Sequence, residues 1–375
     1  MKKITVLGLL FLGITQMHAQ NISNKKMSGN EYSLPPLGVV GKGALLQKEF
    51  IYPVENRPAA QAHASTLVET PEGLMVAFFA GPHEGHPFVG IRASTLIGKK
   101  WSWPVEIANG FETDSLRYPT WNPVLFMPKN GELQLYYKQG PSPIEWWGMM
   151  KVSQDNGKTW SYGSKMGENP AIGHIVGPVK NKPVQLKDGT IISPSSTEIM
   201  DGDETVWRIH VEISKDNGKS WEIVGPINDG IEFDAIQPSI LEFKDGRLMM
   251  LARTKQNVLA QSWSSDKGRT WSKVVATDLP NPNSGTDAVT LKDGRQLLIY
   301  NHKIKADGER GRDILNLAIS IDGVRWIPVM TIENEPSLHG YAYPAIIQTK
   351  DGLVHATYTY DRTAIKHIVV DPKKL

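Results

Sequence analysis

Three kinds of side chain in this sequence carry groups that could do chemistry. Glu84 stands in Gly81-Pro82-His83-Glu84-Gly85-His86-Pro87, a loop whose prolines and glycines preclude a helix, so that it projects from a strand end. Partial burial can lift a carboxyl in such a position toward neutral pKa and make it a proton donor. Glu198, after Ser195-Ser196-Thr197, and Asp287, after Gly285-Thr286, are further carboxyls. Two carboxyls on either side of a glycosidic bond are the usual arrangement for hydrolysing it. Arg253, which ends the run Leu248-Met249-Met250-Leu251-Ala252, and Arg312 each offer parallel N–H donors that match both oxygens of a carboxylate. Either could instead pair with a surface acid, Glu309 being close to Arg312. Tyr343 carries a phenol of pKa about 10, which needs positive charge beside it before it can attack or accept a proton. Its plainer use is as a packed strand aromatic with a hydrogen-bonded hydroxyl. Trp121, Trp146 and Trp147 could stack on sugar rings or simply fill the core. His83 and His86 lie three apart on a loop with no third ligand in view, so neither a metal nor any other cofactor is expected.

These residues are scattered over some 260 positions, so a fold must gather them. The 41 Lys and Arg against 39 Asp and Glu leave a net charge of +2, which gives no reason to expect nucleic acid or an anionic membrane as partner. There is no cysteine, which removes disulfides, thiolate nucleophiles and cysteine-bound metal together. With 34 Gly and 25 Pro in 375 residues, the chain leans toward many short strands and away from a helical bundle.

Two interleaved repeats organise those strands. Glu72-Gly73, Asn130-Gly131, Asp188-Gly189, Asp245-Gly246, Asp293-Gly294 and Asp351-Gly352 each precede an apolar run, with 58, 58, 57, 48 and 58 residues between successive glycines. Each is a hairpin-turn signal, because glycine takes the positive φ that tight turns need. Out of phase with them, S-x-D-x-G-x-x-W occurs at Ser153–Trp160, Ser214–Trp221 and Ser264–Trp271, and one residue shorter at Ser320–Trp326. A degenerate copy, Ser94–Trp101, has Leu96 in place of the aspartate. The aspartate can accept backbone N–H bonds across a turn and the tryptophan can cover its base, so this box is structural. Six units, each able to supply four short strands, predict an all-β fold, a six-bladed β-propeller with Asp-box hairpins. A β-sandwich would not explain six evenly spaced turn pairs. The propeller is expected over residues 41–375, with about 41–60 adding an outer strand to the last blade.

Asp boxes on a six-unit repeat resemble the sialidase superfamily. The stretches Trp121-Asn122-Pro123-Val124-Leu125-Phe126, Leu279-Pro280-Asn281-Pro282-Asn283-Ser284-Gly285 and Tyr358-Thr359-Tyr360 are similar to its secreted bacterial sialidase-like subgroup. The boxes specify fold and not activity, since non-catalytic propellers carry them too. The resemblance implies three arginines holding a substrate carboxylate, a tyrosine nucleophile activated by a glutamate, and an aspartate as acid/base. Aligned on the turn glycines, Tyr343 takes the tyrosine's place, nine residues before Gly352, and Arg253 and Arg312 take two of the arginine places. The remaining arginine position is His63, the glutamate position is Gln237, and the aspartate's loop is the one that carries Glu84. An amide has no proton-accepting state near neutrality, so Gln237 cannot be a base.

Two arginines and a histidine suit a singly acidic sugar. The expected activity is therefore an exo-glycosidase that releases a terminal sialic or uronic acid from a glycan. Glu84 protonates the leaving oxygen, Tyr343 attacks or stabilises the anomeric carbon and Glu198 assists. His63, Gln237, Asp287 and Asn122 join the two arginines in binding substrate. A polysaccharide lyase is an alternative, with Tyr343 or His63 removing the proton beside a uronate. A carbohydrate-binding propeller without chemistry is another, favoured by Gln237 and His63.

At the N-terminus, Met1-Lys2-Lys3, an apolar run from Ile4 to Ile14 and Met17-His18-Ala19-Gln20 describe a secretory signal cut near Ala19 or Gln20. The run falls short of the roughly 20 residues that span a bilayer. Residues 1–20 are thus expected to be a signal peptide and 21–40 a polar leader, placing the protein outside the cell or in the periplasm.

Overall fold

The apolar runs on either side of each Asp-Gly pair become the two innermost strands of a blade, because a left-handed glycine such as Gly246 (φ +85°) lets the chain reverse within two residues. A computed structural model describes residues 33–375 apart from Asp307. The proposed signal and most of the leader lie outside the described residues.

Among the described residues, six antiparallel sheets of four or five strands form, one per repeat unit, beside a small two-stranded sheet of Glu168–Asn169 and Gly173–His174. Blade 1 comprises Gln61–Thr70, Gly73–Gly81, Gly90–Ile97, Lys100–Trp101 and Val105–Ala108; blade 2, Thr120–Phe126, Leu133–Gln139, Trp147–Ser153 and Ser164–Lys165. Blade 3 comprises Val184–Gln185, Ile191–Asp201, Glu204–Ser214 and Glu222–Val224; blade 4, Ala235–Glu242, Leu248–Thr254, Val258–Ser264 and Val275–Pro280. Blade 5 comprises Asp287–Thr290, Gln296–Asn301, Leu315–Ser320 and Ile327–Glu333. Blade 6 takes three strands from the C-terminal end, Tyr341–Gln348, Val354–Tyr360 and Ala364–Val370. Its fourth, Leu45–Phe50, comes from the other end of the ring, with Leu45 opposite Val370 and Phe50 opposite Lys366. Just before it, Pro36 accepts a hydrogen bond from Thr331 N (3.0 Å) and Gly38 N donates one to Thr331 O (2.8 Å), fixing the end of the expected leader to blade 5.

Six apolar clusters hold the ring together. Five fill a whole junction: Leu125, Leu135 and Phe79 between blades 1 and 2, Ile209 and Met250 between 3 and 4, Leu251 and Tyr300 between 4 and 5, Ile299 and Ile346 between 5 and 6, and Phe78 and Ile365 between 6 and 1. The sixth, between blades 2 and 3, is small: Trp121, Trp146, Val176 and Val179. Buried polar groups complete that junction. Lys138 Nζ donates to Pro178 O (2.8 Å), and Glu212 Oε1 accepts from the backbone of Val176 and Gly177 (3.2 and 3.1 Å). Burial pushes the Lys138 ammonium down to about 7, against the pull of Glu212.

The Asp boxes fold as their residue types dictate. In Ser153–Trp160, Asp155 Oδ1 accepts from Ser153 Oγ and Thr159 N (2.8 Å each), and Ser153 Oγ accepts from Gly157 N (2.7 Å). The same set recurs around Asp216 and Asp266. These bonds favour the carboxylate, and hydrogen bonds from Thr159, Ser220 and Thr270 above all hold Asp155, Asp216 and Asp266 down at about 2.

Strand direction alternates within every blade, so the Asp-Gly turns and the Asp boxes share one face of the ring. The loops between second and third strands, and the crossovers between blades, occupy the opposite face. Glu84, Arg253, Arg312 and Tyr343 all belong to that opposite face by this count.

Candidate functional site

One offset on the innermost strands builds the site. Nine residues before the turn glycine stand Ala64, Asn122, Lys180, Gln237, Gly285 and Tyr343 in blades 1 to 6. Four of these are left-handed without being glycine: Ala64 (φ +55°), Asn122 (φ +35°), Gln237 (φ +54°) and Tyr343 (φ +50°). At each the pairing with the second strand breaks, between His63 and Thr66, Trp121 and Val124, Ile236 and Ser239, and Ala342 and Ala345. A bulge re-aims its side chain out of the sheet, and left-handed backbone at such residues costs about 1–3 kcal/mol each. In blades 4 and 6 that re-aiming brings two side chains together. Gln237 Nε2 donates to the Tyr343 hydroxyl at 3.4 Å.

The other partners of Tyr343 are cationic or aromatic. Arg253 Nη1 donates to its hydroxyl at 2.9 Å. The guanidinium carbons of Arg253 and Arg312 lie 5.5 and 5.9 Å from its ring centre, and Lys180 Nζ lies 5.7 Å away. The His63 ring packs at 4.4 Å. Gly285 makes room for two of them, since a Cβ there would meet Lys180 Cε at 2.8 Å and Tyr343 Cδ2 at 3.3 Å. Gly340 does the same for Arg312, whose backbone oxygen a Cβ would meet at 2.5 Å.

The structure thus gathers Arg253, Arg312, Tyr343, His63 and Gln237 from five positions spread along the chain. His63 Nδ1 bonds Thr359 Oγ1 at 2.9 Å, while its Nε2 has no partner among the described side chains. Burial, and then the charges of Arg362, Arg312, Lys180 and Arg253, hold its pKa well below the ordinary histidine value. It is a neutral imidazole and a weak base.

Each expected carboxyl has a different fate. Glu84, the expected proton donor, is held by the guanidinium of Arg362 through Oε2. Glu198 accepts from Trp207 Nε1 at 3.1 Å, and Arg253 lies 5.0 Å above the same indole. Burial raises its pKa, opposed by Arg253, Trp207 and Lys255, so Glu198 is the carboxyl better suited to deliver a proton. Asp287 is not a binding residue. It is fully buried, with Oδ1 accepting from Ser239 Oγ (3.1 Å) and Ala288 N (2.9 Å), and Oδ2 from Lys182 Nζ (2.8 Å) and Ile346 N (2.9 Å). That set ties blades 4, 5 and 6 and the crossover into blade 3, and it leaves no oxygen for a ligand.

Asn122 sits buried at the blade 2 bulge, beside Trp121. Trp121 and Trp146 pack edge to face at 6.0 Å in the core, and Lys165 covers Trp147 at 4.2 Å. Among the described residues no three His, Cys, Asp or Glu side chains cluster as metal ligands. No described helix is long and apolar enough to cross a membrane.

Two residues at the site escape sequence reasoning. Arg362, left-handed at φ +55°, ends the hairpin after Tyr358-Thr359-Tyr360, and its carbonyl accepts from Ala62 N at 2.9 Å, next to His63. No spacing rule marks it. Lys180 donates to Asn181 Oδ1, Thr286 O and Pro344 O at 2.8, 2.8 and 2.6 Å, and burial pushes it down to about 7. Its signal was available, because it stands at the same nine-residue offset as Tyr343.

The BNR repeat-like domain family matches residues 72–356. A sialidase of Paraclostridium sordellii is 27% identical over 263 residues, which cover 60% of this chain and 62% of that one. A sialidase of Clostridium perfringens is 24% identical over 227 residues, covering 53% and 57%. The chain therefore spans less than two thirds of either relative. Among solved structures, a Hadza microbial sialidase superposes with a TM-score of 0.72 at 17% identity, covering 88% of this chain and 69% of its own. A protein of unknown function from Dyadobacter fermentans DSM 18053 gives 0.71 at 17% identity, covering 88% and 99%. The NanB sialidase of Streptococcus pneumoniae gives 0.68 at 15% identity, covering 85% and 70%. At these identities the likeness establishes the six-bladed fold.

Proposed function

The chain belongs to the BNR repeat-like domain family of sialidase-type propellers, and from that premise we propose that it is an exported exo-glycosidase releasing a terminal sialic or uronic acid from a glycan. The observation that carries this reading is the 2.9 Å hydrogen bond from Arg253 to the Tyr343 hydroxyl, with Arg312 beside the same ring. Guanidinium groups next to a phenol can hold a sugar carboxylate while the anomeric carbon faces the phenol oxygen. That carbon bears the carboxylate in a sialic acid and lies across the ring oxygen from the carbon bearing it in a uronic acid. An oxygen that receives two N–H donors, from Arg253 and Gln237, is suited to hold charge that develops during reaction.

In the first step the bond from the anomeric carbon to the leaving oxygen breaks, and that oxygen takes the Glu198 proton. Tyr343 oxygen bonds the carbon and gives its own proton to water. In the second step water attacks the carbon, its proton passes to the Glu198 carboxylate and Tyr343 is released, regaining a proton from solvent. The sum is hydrolysis.

A second reading, binding without turnover, is favoured by Gln237, which cannot take the phenol proton. Purified protein incubated with sialyl- and glucuronyl-terminated oligosaccharides should liberate the terminal acid. Tyr343→Phe should lower kcat at least a hundredfold while the ligand's Kd moves less than threefold. Binding without release by the wild type would leave only the second reading, and an unsaturated, ultraviolet-absorbing product would mark elimination instead of hydrolysis.

A further inference from the structure

We propose that a cationic cavity beside the Tyr343 cleft is a second anion subsite, so that the sugar acid this protein takes carries a further tetrahedral oxyanion, a sulfate or phosphate ester. This deepens the glycosidase reading above and rests on it. The cavity, about 240 Å³, lies between the upper loops of blades 5 and 6 and is lined by Pro282, Asn283, Lys305, Arg310, Arg312 and Arg362. Four of those six side chains are cations and none is an acid.

Among the described residues, the surrounding acids do not cancel this charge. Glu309 and Asp313, on the same loop, turn to Lys303 at 2.8 and 3.2 Å. Glu84 alone, among the described residues, pairs with a lining cation, Arg362. Arg312 is shared, with one flank on Tyr343 and the other on this cavity. Burial above all brings its pKa down to about 10 against the pull of Tyr343, and the nearby charges of Arg253 and Arg362 add to the fall. Crowded like charges are unfavourable unless an anion joins them.

The cavity is also built rather than incidental. Gly311 (φ +66°) lets the blade 5 loop lie on Pro282, whose Cβ a side chain there would meet at 2.5 Å. Lys305 N donates to Asn257 Oδ1 at 3.2 Å, and Arg312 Nη2 donates to Asn283 O at 3.3 Å, so blade 4 and its crossover brace the loop. A carboxylate presents two oxygens in one plane, which a single guanidinium satisfies. Donors arriving from two loops, Lys305 and Arg310 on blade 5 and Arg362 on blade 6, instead match the diverging oxygens of a sulfate or phosphate ester.

The test is calorimetric binding of methyl glycosides of glucuronic and sialic acid to the full chain. Each ligand is offered unsubstituted, monosulfated and monophosphorylated. The wild type should bind at least one substituted form tenfold or more tighter than its parent, and the better ester identifies the substituent. Lys305→Ala with Arg310→Ala, both on the exposed rim, should erase that preference and leave the parent's Kd unchanged. Equal affinities in the wild type, or a preference that survives the double variant, would overturn the subsite alone. Arg253→Ala serves as the control for the first carboxylate: undiminished binding of every ligand would overturn the glycosidase reading instead. No binding of any ligand by folded wild type would overturn both.

Discussion

Tyr343 receives hydrogens from Arg253 and Gln237, and neither of these donors is a base. That arrangement can stabilise charge on the phenol oxygen but cannot carry its proton away. Gln237→Glu would put a carboxylate at the same 3.4 Å position on a backbone that already tolerates a long side chain at φ +54°. General-base assistance is worth on the order of 10²–10⁴-fold, so kcat for release of the sugar acid should rise at least tenfold, measured by steady-state kinetics. A variant no faster than wild type would mean that proton removal from Tyr343 is not what limits the reaction. At this scale the sequence was informative where a residue's type and its distance from a turn glycine both spoke, as for Tyr343 and Gln237. It was silent where position came from a hairpin tip swinging across a neighbouring blade, as for Arg362, whose side chain meets Glu84 from 278 residues away. Asp287 misled because a carboxyl after Gly-Thr reads the same whether its oxygens face a ligand or four protein donors.

The bulged inner strand is the element that turns a periodic sequence into a converging site. A fixed offset from the turn glycine puts one residue per blade at equivalent positions, and the side chain required there differs in each. Blades 3 and 5 illustrate the coupling, because Lys180 fits only where Gly285 leaves room. Gly285→Ala would drive a methyl to 2.8 Å from Lys180 Cε and 3.3 Å from Tyr343 Cδ2. Overpacking of this kind costs about 1–3 kcal/mol. The variant should melt several degrees lower and lose most affinity for the acidic sugar, whereas Gly189→Ala, which meets nothing within 4 Å on the opposite face but is strained at φ +88°, should also melt lower yet keep its affinity. Calorimetric binding would separate the two. The strands and turns themselves were readable from Asp-Gly and box spacing, since those patterns act through local hydrogen bonds. The bulges were not, because a left-handed Tyr343 or Gln237 is held by its surroundings against its own preference.

For the whole molecule, stability should follow buried titratable groups rather than the conspicuous Asp boxes. Lys138 and Lys180 sit at about 7 in the fold against about 10.4 in an unfolded chain. Between those values the unfolded chain holds more protons, so stability should rise as pH climbs from 7 toward 10. On the acid side His63 is held well below its usual value, and burial brings His302 and His355 to about 4. Below about 6.5 the unfolded chain binds protons these histidines refuse, so stability should fall from there toward pH 4. The box aspartates contribute stability above about 3.9 and lose it only as pH drops toward 2. Melting temperatures should therefore climb from about pH 4 to about 9, above which tyrosines such as Tyr52 and Tyr136, whose pKa burial raises, oppose the lysines. Lys138→Met should flatten the alkaline limb without touching the acid one. An unchanged slope in that variant would place the linkage elsewhere.

Blade 6 borrows its rim strand from Leu45–Phe50, more than 300 residues upstream of its partner. During synthesis that strand leaves the ribosome early and waits, unpaired, until Ala364–Val370 follows it out. Throughout that interval the early strand keeps an unpaired backbone edge, and each finished chain brings out the complementary one. At high expression, neighbouring polypeptides can therefore trade these strands and emerge as an interlocked pair, each completing the other's circle.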